Sequence, residues 1–205
     1  MEFIKSVNNT KNYTGVKADS TVILSENENY YLKFLEVKDR DIFIKITAYT
    51  SFIPRVYKST YYCDYFWNSV PDSDEQVLII VEKNTGIYCG YCNVKNVNSL
   101  NPEIGIDLLP EFQGQGIGKQ ALELLLTNYK QDKPMEYFIA KVMSSNLNSQ
   151  SLMAKLGAKP IGVEETEFNR IAAILNEKTT KDHEKKTSKL QFEDEYVLIY
   201  RIECK

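Results

Sequence analysis

The chain has 205 residues, enough for one or two domains at about 150 residues each. Its 25 Lys and Arg against 28 Asp and Glu leave a net charge of −3, and a pI near 5.4 excludes a protein that grips nucleic acid through its bulk charge. Hydrophobic residues make up 43% of the chain, so a sizeable core is expected and a largely disordered chain is excluded.

Four cysteines, at 63, 89, 92 and 204, are too few for a disulfide scaffold of this size. No apolar run approaches the length of about 18 residues that a membrane span needs. The densest, Val77-Leu78-Ile79-Ile80-Val81, has the length of a strand. The stretch MEFIKSVNNTKNYTG lacks the apolar segment of a secretory leader. A reduced cytoplasmic protein with no membrane and no nucleic-acid partner is the expectation.

Residues 1–20 are polar and read as a loose arm. Tyr30–Val37 reads as a strand, and Asp39-Arg40-Asp41 opens a helix towards Tyr49, because acidic residues suit a helix N-terminus. Residues 50–70 carry Phe52, Tyr57, Tyr61, Tyr62, Tyr65, Phe66 and Trp67. They fit a helix or loop packing rings onto the core, or the wall of a ligand cleft. Val77–Glu82 and Ile87–Val97 form a hairpin through the turn Lys83-Asn84-Thr85-Gly86. Glu103–Leu109 is a third strand, stopped by Pro110.

Gly116–Tyr129 follows as a helix with Ile117, Ala121, Leu122, Leu124 and Leu125 on one face. Tyr137–Val142 is a strand and Asn148–Leu156 a helix, with Gly157 as its stop. Residues 160–195 read poorly: Phe168–Leu175 looks helical and Lys178–Lys189 is a solvated charged stretch. Tyr196–Ile202 is a closing strand. Hairpin-linked strands alternating with helix-linked ones predict an α/β fold, a mixed, mostly antiparallel central sheet flanked by helices.

Three of the nine glycines, Gly114, Gly116 and Gly118, fall within five residues between a strand and an amphipathic helix. Glycine lets backbone N–H groups approach a ligand, and the first N–H groups of a helix lack internal partners. The turn therefore reads as a phosphate cradle, with a tight structural turn as the alternative. The dinucleotide fingerprint fails at Lys119. The Walker pattern fails at Gln113 and Gln120. What remains is Gln113-x-x-Gly116-x-Gly118 at a strand-to-helix junction.

In this stretch the chain resembles the GNAT (Gcn5-related N-acetyltransferase) superfamily, whose Q/R-x-x-G-x-G/A motif follows the family's fourth strand. A second match lies at Asn146, Ser149, Leu152, Lys155 and Gly157, similar to the family's N-x-x-S-x-x-L-Y-x-K-x-G-F. Met153 stands where that motif has tyrosine and Ala158 where it has phenylalanine. The two motifs cover about residues 103–158, and with the hairpin the resemblance reaches roughly 30–200. It implies one GNAT domain over 1–205, with 1–20 an arm and 164–195 a family-atypical insertion.

The resemblance implies acetyl transfer from acetyl-CoA, with no metal, to a small-molecule or peptide amine: a protein N-terminus, a polyamine or an amino sugar. Main-chain groups near Ile106 and Leu108 would pair with the pantetheine arm. Amides of Gln113, Gly114, Gln115, Gly116, Ile117, Gly118 and Lys119 would hold the pyrophosphate, and Asn146 and Ser149 would reach the cofactor. An ammonium must lose a proton before it attacks, so a base is sought. Glu103 and Asp107 are the candidates, placed on one strand face with Gly105 between them, and Glu103 is ranked first. Each also reads as an ordinary strand carboxylate. The segments 50–70 and 164–195 would line or cover the acceptor side. A rival reading is a non-catalytic acyl-CoA-binding module.

Two other signals carry little. Cys89-x-x-Cys92 lies inside a predicted strand, not at the helix start that a redox motif uses. His183 sits in a charged run as a solvated residue.

Overall fold

In a computed structural model of the chain, residues 22–51, 53–70, 73–129, 135–166, 169–170 and 195–203 are described. The arm at 1–20, nearly all of the helix expected at 168–175, the charged stretch 178–189 and His183 lie outside them. The described residues hold eight strands and four α-helices, a mixed, mostly antiparallel α/β arrangement. The chain divides into two units, Met1–Phe138 with Glu203–Lys205, and Ile139–Ile202.

The Val77–Val81 run offers no polar side chain to water, so its strand must be covered on both faces. In the first unit, β1 (Ile23–Glu26), β2 (Tyr30–Phe34), β3 (Glu75–Glu82), β4 (Tyr88–Lys95) and β5 (Glu103–Leu108) pair antiparallel in that order. Val77, Ile79 and Val81 turn to a core shared with α1 (Arg40–Thr50) and α2 (Thr60–Ser69), through Phe43, Ile46 and Trp67. Alternation sends Leu78 and Ile80 to the opposite face. There α3 (Ile117–Asn128) packs on β1, β2 and β5 and buries Ile117, Ala121, Leu122 and Leu125.

The aromatic segment divides its rings. Phe43 stacks on Phe66 at 5.8 Å and meets Trp67 and Tyr91 edge-on at 6.2 and 5.1 Å. Tyr57 packs edge-on against Phe66. Tyr61 and Tyr65 point out, Tyr61 with 81% of its surface exposed. Most of the segment is thus core packing.

Strand β1 was not expected. Its hairpin turns on Asn27, whose Oδ1 accepts from the N–H groups of Asn29 and Tyr30 at 2.9 and 2.8 Å. Asn27 Nδ2 donates to Gln120 Oε1 at 3.2 Å and Asn128 Nδ2 to Ser25 Oγ at 2.6 Å, so the hairpin is tied to α3 by side chains.

Helix α1 begins one residue after Asp39, and that carboxylate does not serve the helix. Asp39 Oδ2 accepts from buried Lys33 Nζ at 2.5 Å and from the Glu36 N–H at 3.0 Å, and Oδ1 accepts from the Tyr88 hydroxyl at 2.9 Å.

The Cys-x-x-Cys segment lies in β4 as expected. Register passes from Ile80↔Gly90 to Val81↔Tyr88, so Cys89 is the extra residue of a β-bulge. Cys89 and Cys92 are free and fully buried. Burial pushes the Cys89 thiol up to about 11 and the Cys92 thiol up to about 12. At pH 9 a thiol at 11 is only about one part in a hundred thiolate. We therefore expect iodoacetamide at pH 9 to leave both cysteines unlabelled in the folded chain and to modify them in urea, read by peptide mass. Because both folded values are raised, their contribution to stability is present below pH 9 and is lost as pH rises through 11–12.

The second unit takes up most of β6 (Tyr137–Met143), then α4 (Leu147–Lys155), β7 (Lys159–Glu165) and β8 (Tyr196–Glu203), with strand order β6-β8-β7. Helix α4 stops where expected: Gly157 takes φ +76°, and the Ala158 N–H returns to the Met153 carbonyl at 3.0 Å. Strand β7 falls in the stretch that read poorly. It pairs antiparallel with β8 from Lys159↔Arg201 to Glu165↔Tyr196.

Candidate functional site

Strand β5 ends at Leu108, and the 3₁₀ turn Pro110–Phe112 leads into the glycine-rich loop. Two glutamines fold that loop back on itself. Gln113 Nε2 donates to the Leu108 carbonyl at 2.9 Å, and Gln115 Nε2 donates to the Glu111 carbonyl at 2.5 Å. Gly114 and Gly116 take φ +72° and +80°. A Cβ on either meets no atom within 4 Å, so the requirement for glycine there is conformational rather than steric.

Gly116 is the N-cap of α3 and offers no side chain to the helix end. The Gln113 N–H is spent on the Pro110 carbonyl at 3.1 Å, and the Gln120 N–H on the Gly116 carbonyl at 3.2 Å. Among the described residues, the N–H groups of 114–119 in between donate to no acceptor of the chain. Ile117 anchors the turn in the core while its N–H stays in this row. The row sits where the helix macrodipole is positive. Lys119 Nζ lies 3.6 Å from Glu123 on the same helix.

Strand β5 carries the candidate bases. Its register on β4 is Glu103↔Lys95, Gly105↔Asn93 and Asp107↔Tyr91. Glu103 and Asp107 therefore share a face with Gly105 between them, and it is the face that carries Tyr91 towards α1 and α2. Glu103 Oε1 lies 3.8 Å from Lys95 Nζ. Tyr91 stands across from Asp107; burial first, then that carboxylate, pushes the phenol far above its ordinary value. Ile106 and Leu108 turn to the other face, and the Leu108 carbonyl receives Gln113.

Asn146 and Ser149 belong to the second unit. Asn146 is the N-cap of α4, its Oδ1 accepting from the Ser149 N–H at 3.0 Å. The amide nitrogen of Asn146 and the hydroxyl of Ser149 carry the remaining capacity. Met153 is buried on the same helix. Sequence reasoning did not single out Glu75, Tyr91 or Asn93. Tyr91 and Asn93 join the Glu103–Asp107 face through the pairing of β4 with β5, and Glu75 through that of β3 with β4; no local motif marks them. Among the described residues no cluster of three His, Cys, Asp or Glu is grouped as metal ligands are. No helix among them is long and apolar enough to cross a membrane.

A glycine-cradled helix start thus follows an antiparallel sheet in the first unit. The description "Acetyltransferase (GNAT) domain" matches residues 32–159, more than half of the chain, and the chain belongs to that family. The family uses acetyl-CoA. A protein of Methanocaldococcus jannaschii is 27% identical over 160 residues, 77% of this chain. The chain spans about a third of that relative's length, 32%.

Solved structures show the same fold. The spermidine N-acetyltransferase of Vibrio cholerae, in complex with CoA and spermine, superposes with a TM-score of 0.61 at 16% identity, over 87% of this chain and 97% of that one. The ribosomal L7/L12 alpha-N-protein acetyltransferase RimL gives 0.60 at 15%, over 89% and 98%. A domain from Methanocaldococcus jannaschii gives 0.56 at 17%, over 84% and 98%.

Proposed function

We propose that the chain moves an acetyl group from acetyl-CoA to a primary amine by direct attack in a ternary complex. The observation that carries this reading is the row of unpartnered amides at 114–119, bent open by two left-handed glycines. A diphosphate supplies the acceptors these N–H groups lack. Main-chain groups of Ile106 and Leu108 would hold the pantetheine arm. When bound, acetyl-CoA supplies an activated thioester acyl group.

The residues of β5 handle the proton. An ammonium near pKa 10 is not a nucleophile, so a carboxylate must accept its proton, directly or through water. Glu103 stands first and Asp107 second, because Asp107 stands across from the buried Tyr91 phenol. The family match at 32–159 crosses both units, which supports reading them as one acetyltransferase domain.

The test is CoA release measured over a panel of amines: small amines, amino sugars and peptides with free N-termini. We expect turnover on at least one, and Glu103→Gln to lower kcat most at low pH with acetyl-CoA affinity unchanged. Binding of acetyl-CoA without turnover on any amine supports the non-catalytic module instead. An unaltered pH–rate profile in Glu103→Gln transfers the base to Asp107.

A further inference from the structure

Asn93 is buried, with 6% of its surface exposed. Its Nδ2 donates to Glu75 Oε1 on the neighbouring strand β3. Its Oδ1 is buried and accepts from no donor. That oxygen lies over Gly105 of β5, where a Cβ would overlap it. It therefore occupies the space between Glu103 and Asp107, the positions that flank Gly105 on the same face.

Two features make this arrangement costly in the free protein. A buried carbonyl oxygen with no donor costs about 1–3 kcal/mol. The oxygen also lies on the strand face that carries Glu103 and Asp107 rather than a paired donor. Turning the amide over would bring the Asn93 oxygen against the Glu75 carboxylate, so ionised Glu75 fixes the unfavourable orientation. Glu75, Glu103 and Asp107 are half-buried. Three carboxylates share this face with one cation, Lys95, which stands across from Glu75 and Glu103 and lies 3.8 Å from Glu103.

We propose that the Glu75–Asn93–Gly105 row is the cation-binding part of the acceptor site and that Glu75, held by Asn93, determines specificity. This rests on the acetyltransferase reading. The amine that attacks the thioester must be neutral at that moment, so the cation held on this face is a second group of the acceptor. The class of acceptor is an amine carrying another ammonium or guanidinium a few bonds away. Such a group brings N–H donors and the positive charge that Lys95 alone does not supply to three carboxylates. Gly105 leaves room for the Asn93 oxygen, and a side chain there would displace it.

Calorimetric titration of the full chain with 1,4-diaminobutane and with butylamine tests this. The diamine is expected to bind about tenfold more tightly than the monoamine. Glu75→Gln keeps an acceptor for Asn93 but removes the charge; it should bring the two amines to within about twofold, with acetyl-CoA affinity unchanged. Asn93→Leu should do the same, and Glu75→Gln decides the matter if that variant fails to fold. Equal affinities in the unmodified protein, binding of neither amine, or a preference that survives Glu75→Gln overturns the proposal. Failure to bind acetyl-CoA overturns the transferase reading and this one with it, whereas equal affinities for the two amines with acetyl-CoA binding intact overturn this one alone.

Discussion

Gly116→Val is expected to weaken coenzyme A binding by about a hundredfold or more while leaving the fold in place. Gly116 holds φ +80° at the N-cap of α3, and a Cβ there touches nothing within 4 Å. The penalty is therefore backbone strain. A left-handed conformation costs an L-residue about 1–2 kcal/mol, and more for a β-branched one. The chain escapes that strain by rotating the peptide units on either side, which turns the N–H groups of residues 116 and 117 away from their shared direction. Charge-assisted hydrogen bonds from backbone amides are each worth about 1.5–3 kcal/mol, so losing one or two gives the hundredfold.

The control is the stability of the variant without ligand. Residues 114–116 are exposed and the core beneath α3 is set by Ile117, Ala121, Leu122 and Leu125. The melting temperature of the free chain should fall by only a few degrees. In the unmodified chain, coenzyme A at 100 times its Kd should add about 2.7 kcal/mol of stability, and in Gly116→Val at the same concentration that gain should nearly vanish. A variant that keeps the full gain separates the loop from the cofactor and removes the main support for the proposed function.

The loop was legible in the sequence because its demands are local. Three glycines, a proline that stops a strand and an apolar stripe that starts a helix lie within about one element of each other. The same holds for β3, whose unbroken apolar run requires cover on two faces, and for the Gly157 stop of α4. Strands β1 and β7 escaped for the opposite reason. Each is short or largely exposed, with burial set by a neighbour far along the chain: β1 is held by Gln120 and Asn128 of α3, and β7 by β8 beyond residue 195.

Glu75 and Asn93 are 18 residues apart and meet only because a bulged hairpin sets their register. Glu103 and Asp107 could be placed on one face from alternation alone, but what stands across from them could not. Asp39 was read as a helix-start carboxylate. Sequence position gave no sign that its charge is claimed by a lysine six residues earlier and a tyrosine 49 residues later.

That last group sets the other large effect. Asp39→Asn should destabilise the chain by about 3–5 kcal/mol, because it leaves the Lys33 ammonium buried without its main counter-charge. Lys33 and Asp39 are 2% and 0% exposed, and their 2.5 Å pair lies between β2 and the 3₁₀ turn Val37–Asp39. Glu36, at 3.3 Å from Lys33, is partly open to water and shared with Lys38 at 2.7 Å, so it replaces little of the lost charge. The pair itself need not be a net gain, since two charges have been taken out of water to make it. Lys33→Met with Asp39→Leu should therefore recover much of what Asp39→Asn loses.

The Tyr88 phenol supplies an independent readout. Burial, then its hydrogen bond to Asp39, pushes it up to about 12. Its folded value is raised, so its share of stability is intact below pH 10 and is lost as pH rises towards 12. In Asp39→Asn the phenol loses its charged acceptor, and the alkaline loss of stability should begin at lower pH. Urea midpoints at pH 7 and along a titration from pH 9 to 12 measure both effects. A midpoint for Asp39→Asn within about 1 kcal/mol of the unmodified chain would show that Lys33 finds water or Glu36 at no cost, and that the pair does not hold β2 to α1.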